Sequence, residues 1–377
     1  MFENRLTLFR MFGFSVRLDL SWLLIALLVT WSLAEGFFPD RYPDLSNSVY
    51  WLMGILGAAG LFLSIIFHEF CHSLVARRYG LPMKGITLFV FGGIAEMEDE
   101  PQNPKTEFLM ALAGPVSTLL LALLLYLLWS WGKQLGWGDL VNGITGYLAF
   151  INLLLAVFNL LPAFPLDGGR LLRSTLWRWQ GDLRRATRTA TRIGSGFGIV
   201  LMLFGVLNAF GGNLLGGMWY FLIGLFIRGA AKNSYRRLLL QEAFTGKRVD
   251  SLMHSASDTI APDTSLAEVV AEHLPRQKGK VLPVVEQGRL AGCITLAQIR
   301  NVPREERRDR SAGELLQACP RDAVIDRGTD VMEALAHMNR TGTSRLLVVD
   351  GQQLVGSLSR ADITDTFSAW MELEDAS

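Results

Sequence analysis

The sequence predicts a polytopic α-helical membrane domain of six transmembrane helices followed by a C-terminal cytoplasmic α/β domain. Half of the 377 residues are hydrophobic and 19% are charged, with a mean hydropathy of +0.28. That is apolar for a soluble chain and rich in charge for a bare helical bundle, so two parts are expected. The charge balance changes sign along the chain. Residues 1–240 hold 20 Lys+Arg against 14 Asp+Glu, which leaves 16 against 21 of the totals of 36 and 35 for residues 241–377. The expected domains are therefore 1–240, basic and apolar, and 241–377, acidic and polar.

Six apolar segments are read in the first part, at roughly 20–38, 51–75, 107–131, 140–161, 193–210 and 214–231. A hydrocarbon core of about 30 Å takes about 20 helical residues at 1.5 Å each. The first segment, SWLLIALLVTWSLAEG, is read as a retained span and not a cleaved signal, because its apolar core is long and starts late. Arginines give the orientation. Arg5, Arg10 and Arg17 precede the first span, Arg77 and Arg78 follow the second, Arg170, Arg173, Arg178, Arg184 and Arg185 follow the fourth, and Arg228, Lys232, Arg236 and Arg237 follow the sixth. Positive charge collects on the cytoplasmic side, so a multi-pass protein of the cell membrane with both termini cytoplasmic is expected. The stripe of Arg184, Arg185, Arg188 and Arg192 is read as part of the same anchoring. A net charge of +1 argues against nucleic-acid partners. Cys71, Cys293 and Cys319 are scattered, give no disulfide framework, and fit a reducing compartment for the second part.

Inside the second span lies SIIFHEFCHSLVARRY, residues 64–79. Ionisable groups within a bilayer cost roughly 2.5 to 3.5 kcal/mol each on insertion scales, so His68, Glu69 and His72 call for compensation. Four residues apart on a helix, both imidazoles face one ion, and Glu69 adjoins the first. This is H-E-x-x-H, two zinc ligands with a glutamate as general base on water. Cys71 points from another helical face and is read as packing. A catalytic zinc site normally takes three protein ligands. The third candidate is Asp167, in FNLLPAFPLDGGRLL at 158–172, where Pro162 and Pro165 end the fourth span and Gly168 and Gly169 leave the backbone free to turn. Asp167 has a second reading as the N-cap of a helix beginning at Gly168.

HEFCH, FGGIAEMEDEP, ALAGPVSTLLLAL at 111–123 and NLLPAFPLDGGR together resemble the motif set of the site-2 protease family, intramembrane zinc metalloproteases, over about residues 10–235. The resemblance implies that His68, His72 and Asp167 bind one catalytic Zn2+, that Glu69 activates water, and that Asn159 contacts the substrate or the oxyanion. It implies a substrate that is itself a membrane-spanning helix, such as a single-span protein in the lipid bilayer. The arginine distribution puts His72 about one helical turn from the cytoplasmic Arg77, so an active site opening toward the cytoplasm is expected. No PDZ-like insertion is visible.

The stretch GITLFVFGGIAEME, 85–98, follows the second span. Ile86, Leu88 and Val90 alternate and Gly92 and Gly93 permit a tight reversal, so a short hairpin offering an unpaired edge to an extended substrate is expected beside an ordinary amphipathic loop.

The second part contains a repeat, at about 247–300 and 311–367. At an offset of 64, Val284 falls on Val348, Gly292 on Gly356, Thr295 on Ser359 and Gln298 on Asp362. Each unit reads as a helix, two strands and another helix. The pair resembles tandem cystathionine-β-synthase-type (CBS) domains, which implies binding of ATP, ADP or AMP through Ser359 and Asp362, or a homodimer formed through the pair. Gln298 departs from the pattern, so one nucleotide site at most is expected. The whole reads as an intramembrane zinc endopeptidase regulated through its CBS pair. The alternative is a CBS-gated transporter or channel with the histidines as a metal transit site, which would have no use for Glu69.

Overall fold

The computed structural model describes residues 5–11, 14–81, 83–89, 92–97, 101–255, 259–273 and 281–375. The chain divides into two compact units, Met1–Arg236 and Arg237–Ser377.

Among the described residues, six helices are long and apolar enough to cross a membrane. The first is broken: α1 (Ser21–Ser32) passes through a π-turn at Leu33–Phe37 into α2 (Phe38–Arg41). The others are α3 (Asn47–Arg78), α4 (Pro104–Gln134), α5 (Asp139–Asn159), α7 (Leu183–Phe210) and α8 (Leu214–Phe244), with the short α6 (Asp167–Gln180) between α5 and α7. Local chemistry sets several ends. Asn103 caps α4 by accepting from the Thr106 amide, with Pro104 as its first residue. Gly181 ends α6 in the left-handed conformation, φ 72°, and Asp182 caps α7. The arginine stripe therefore belongs to the first turns of α7.

The burial pattern is that of a membrane bundle. Large apolar side chains such as Leu27, Leu120, Leu124, Val200, Leu203 and Leu207 face outward, while small residues sit where helices touch. A Cβ on Gly205 would lie 2.6 Å from the Gly217 carbonyl, and one on Gly198 would lie 2.7 Å from that of Gly224, so α7 and α8 approach at backbone distance. Leu33, Phe38, Tyr50, Met53, Ala58, Phe62 and Tyr147 form a core between the first span, α3 and α5.

A four-stranded sheet accompanies these helices in the order β1 (Arg5–Met11), β2 (Phe14–Asp19), β3 (Met83–Phe89), β4 (Gly92–Met97). The stretch read only as a basic approach to the first span is thus a hairpin, and β2 runs parallel to β3. The hairpin expected at 85–98 is β3–β4, but the reversal is not at the glycines. Gly92 and Gly93 are the first residues of β4, opposite Phe89 and Leu88, and Val90, Phe91 and Glu98 lie outside the described residues. Gly85, Ile86, Thr87 and Leu88 are all buried, so this strand is covered on both faces and the alternation does not mark a solvent side. Among the described residues, β4 has one paired edge and one free edge.

The second unit holds a six-stranded sheet, β6 (Val281–Glu286), β7 (Arg289–Thr295), β10 (Gln353–Ser359), β9 (Arg345–Asp350), β8 (Val324–Asp326), with β5 (His254–Ser255) also on β10. The offset of 64 reappears as equivalent core positions. Leu282 and Leu346, Val284 and Val348, Ile294 and Leu358, and Ile299 and Ile363 are buried in pairs. The repeats also exchange their leading segments: β5, from the first, pairs with Gly356 and Ser357 of the second, while Gln317, leading the second, bridges Cys293 of the first.

That exchange corrects the cysteine reading. Cys293 and Cys319 form a disulfide, with Cα atoms 4.8 Å apart. Cys319 comes from the swapped segment, whose Gln317 exchanges both backbone hydrogen bonds with Cys293, a proximity that a separation of 26 residues does not announce. Cys71 alone is free, and the pairing removes the support that the cysteines lent to a reducing compartment.

Candidate metal centre

The site begins with helical repetition on α3. Ser64, His68, His72 and Ala76, each four residues on, are all buried on one face. Each imidazole is held from behind by α4. The Nδ1–H of His72 donates to the Met110 carbonyl at 2.6 Å. The Nδ1 of His68 lies 2.8 Å from the Thr118 hydroxyl, which itself donates to the Gly114 carbonyl at 3.0 Å. With its proton committed there, the Thr118 oxygen accepts from His68 Nδ1–H. Both rings therefore carry the proton on Nδ1 and present an Nε2 lone pair.

The two Nε2 atoms converge with a carboxylate. Asp167 Oδ2 lies 3.1 Å from His68 Nε2 and 3.1 Å from His72 Nε2, and the two nitrogens are 3.1 Å apart. Three acceptors facing one another repel, and a cation among them converts repulsion into attraction. The dimensions suit zinc: four ligands tetrahedrally placed at about 2.05 Å from an ion stand about 3.3 Å apart. Among the described residues these three form the group of His, Cys, Asp and Glu side chains able to share an ion. Cys71 stands apart from it.

Asp167 is delivered by packing. The chain leaves α5 through Leu160–Leu166 and enters α6 with Leu166 as N-cap and Asp167 as first helical residue, making no side-chain cap. The turning role expected of Gly168 and Gly169 is a packing role instead. Both are helical, and a Cβ on Gly168 would lie 2.3 Å from the carbonyl oxygens of Leu160 and Leu161, while one on Gly169 would lie 2.6 Å from the Phe164 nitrogen. Only glycine lets α6 lie directly on the loop that precedes it. Asn159, the last residue of α5, sets its Nδ2 3.4 Å from His68 Nε2. Higher on α5, Asn152 donates to Ser64 at 3.0 Å. Glu69 is half-buried next to His68, about 100° round the helix from it.

Three contributors escaped the sequence reading: Met110, Gly114 and Thr118. Gly114 leaves room for the rings, since a Cβ there would lie 2.2 Å from His72 Nε2. The Gly114–Thr118 spacing of one helical turn was the available signal, within an apolar run whose hydroxyl has an ordinary backbone use.

In the second unit, Ser359 and Asp362 form a reciprocal cap. The Ser359 amide donates to Asp362 Oδ2 at 2.7 Å and the Asp362 amide to Ser359 Oγ at 3.2 Å. Thr295 and Gln298 do the same in the first repeat. His254 Nδ1 lies 3.5 Å from Asp362.

Residues 56–139 and 130–204 match the model of peptidase family M50, and residues 249–305 and 318–369 match the CBS domain. Rip3 of Mycobacterium tuberculosis, whose name classes it as a zinc metalloprotease, is 34% identical over 365 residues, 96% of this chain and 92% of Rip3. The similarly named sll0528 of Synechocystis is 31% identical over 364 residues, 96% of this chain and 95% of its own. Among solved structures, the site-2 protease from Methanocaldococcus jannaschii is 27% identical and matches 62% of this chain and 96% of that one, with a TM-score of 0.41.

Proposed function

The chain belongs to peptidase family M50 as a multi-pass, site-2 protease-like zinc metalloprotease, and we propose that it hydrolyses single-span membrane proteins at His68, His72 and Asp167, with Glu69 as general base. The observation that carries this is the triangle of Nε2, Nε2 and Oδ2 with 3.1 Å edges, each imidazole fixed in the tautomer that offers its lone pair. Zinc held there supplies a Lewis acid that lowers the pKa of water and polarises a carbonyl. Glu69 takes a proton from the attacking water onto its carboxylate and delivers it to the amide nitrogen as the carbon–nitrogen bond breaks. The Asn159 amide donates to the carbonyl oxygen as charge develops on it.

A transmembrane helix has its backbone donors and acceptors occupied internally, so it must unwind before cleavage. The free edge of β4, beginning at Gly92 and Gly93, offers backbone partners to the extended segment. The arginine distribution supports a cytoplasmic opening and cytoplasmic termini. The CBS pair regulates the peptidase by taking up an adenine nucleotide at Ser359 and Asp362 or by joining two copies of the chain. The capping geometry of both signatures supports an architectural use as well.

The test is cleavage of a panel of single-span proteins in reconstituted bilayers by the full chain and by its Glu69→Gln form. The wild type cuts at least one; the variant keeps its zinc and cuts none. Equal cleavage by the two would remove Glu69 from the mechanism.

A further inference from the structure

Glu107 opens α4 and Arg173 lies midway along α6. Both are buried, at 0% and 5% exposure. Arg173 Nε donates to Glu107 Oε1 at 2.7 Å, and its Nη2 donates to the same oxygen. Arg170, one turn nearer the site, has its Nε 4.0 Å from that oxygen. Burying two charges costs more than their attraction commonly returns, and an apolar pair of similar volume usually serves stability as well or better. As mere glue between two helices the pair is a poor choice. Its placement gives it another use.

One face of α4 carries Glu107, Met110, Gly114 and Thr118, at steps of three or four residues, and the last three meet the two histidines of the metal centre. Met110 holds His72, Thr118 holds His68, and Gly114 makes room for both rings. Asp167 has no such contact with α4 among these bonds. Its helix is fastened there through Arg173, six residues further on. The Arg173 guanidinium also lies 5.4 Å from the ring centre of Phe164, in the loop that delivers Asp167. One side chain, six residues after Asp167, thus reaches both α4 and the loop that precedes Asp167.

We infer that Glu107–Arg173 is a positioning pair, which sets α6 against α4 so that Asp167 completes the triangle begun by the two histidines. The inference rests on the reading of that triangle as a metal site. α4 is then the common template for all three ligands, two held by hydrogen bonds to the rings and the third by an ion pair at a distance. The close backbone approaches at Gly168 and Gly169 fix how closely α6 lies on its loop, while a charge pair with fixed donor directions fixes its rotation and register.

The experiment uses cobalt(II) as the probe, bound to the full chain after zinc removal, with visible absorption reporting ligand geometry and chelator competition reporting affinity. The deciding variant is the double Glu107→Leu, Arg173→Met, which replaces the pair by an apolar contact. A purely structural pair predicts wild-type stability and wild-type cobalt binding together. The positioning role predicts that the metal-free double variant melts with the wild type while its cobalt affinity falls about 10- to 100-fold, the loss typical of disturbed outer-shell partners, with a changed absorption band. Should the double variant fail to fold, Arg173→Lys decides. It keeps the charge and loses the two-pronged contact, and about tenfold weaker cobalt binding is expected. Wild-type affinity and spectrum in the folded double variant, or in Arg173→Lys where the double does not fold, overturn the inference alone. Failure of the wild-type chain to bind cobalt overturns both it and the metal reading.

Discussion

Replacing Gly114 by alanine adds one methyl group at the most crowded point of the centre. The new Cβ would lie 2.2 Å from His72 Nε2, 2.5 Å from His72 Cε1 and 2.7 Å from His68 Cε1. Carbon atoms settle at about 3.5 to 4.0 Å, so the His72 ring must withdraw by about 1 Å. Zinc ligands tolerate about 0.2 Å. A displacement of that size costs about 100-fold in rate, or roughly 2.7 kcal/mol at 1.36 kcal/mol per tenfold. The helix itself gains from the change, since alanine is favoured over glycine by about 1 kcal/mol in a helix interior. The opposed signs make the prediction specific. The metal-free Gly114→Ala protein unfolds at or above the wild-type temperature, while zinc affinity, measured by competition with a chromophoric chelator, and cleavage in proteoliposomes both drop by about two orders of magnitude. Wild-type zinc affinity in Gly114→Ala would refute the packing argument, and a collapsed melting temperature would show that α4 and not the rings yields.

Thr118→Val keeps the shape but removes the acceptor for His68 Nδ1–H, so zinc binding should weaken about 10- to 100-fold and recover in Thr118→Ser; an unaffected valine variant would deny the hydroxyl its role. Cys319→Ser opens the disulfide, whose closed loop of about 26 residues predicts a loss of about 3 to 4 kcal/mol from the second unit, seen as a lower unfolding midpoint with zinc content unchanged. Asp362→Ala removes the carboxylate that accepts from the Ser359 amide and abolishes heat release on titration with ATP, ADP and AMP, whereas Gln298→Ala leaves it intact. Nucleotide binding that survives Asp362→Ala moves that site elsewhere.

The elements legible in the sequence are those whose signal is local. His68 and His72 are one turn apart in a span where ionisable groups are costly, and six apolar runs have the length of a bilayer crossing. The offset of 64 is equally local, and it survives as matched core positions such as Val284 and Val348. What escaped depends on tertiary approach. Met110 contributes a backbone carbonyl, which has no sequence signature, and Glu107 meets Arg173 across 66 residues. Gly168 and Gly169 resemble turn glycines until the carbonyls of Leu160 and Leu161 are seen against the first and the Ala163–Phe164 backbone against the second. The hairpin β1–β2 was hidden because its arginines have a sufficient explanation in membrane orientation, and the Cys293–Cys319 bond because it joins β7 of the first repeat to the segment leading the second.

X-ray absorption at the zinc edge of the purified full chain tests the central claim most directly. One zinc per chain is expected, with a first shell of nitrogen and oxygen only, at about 2.0 to 2.2 Å, that includes two imidazoles. A sulfur neighbour at about 2.3 Å, or a shell unchanged in the His68→Ala, His72→Ala double variant, would contradict it.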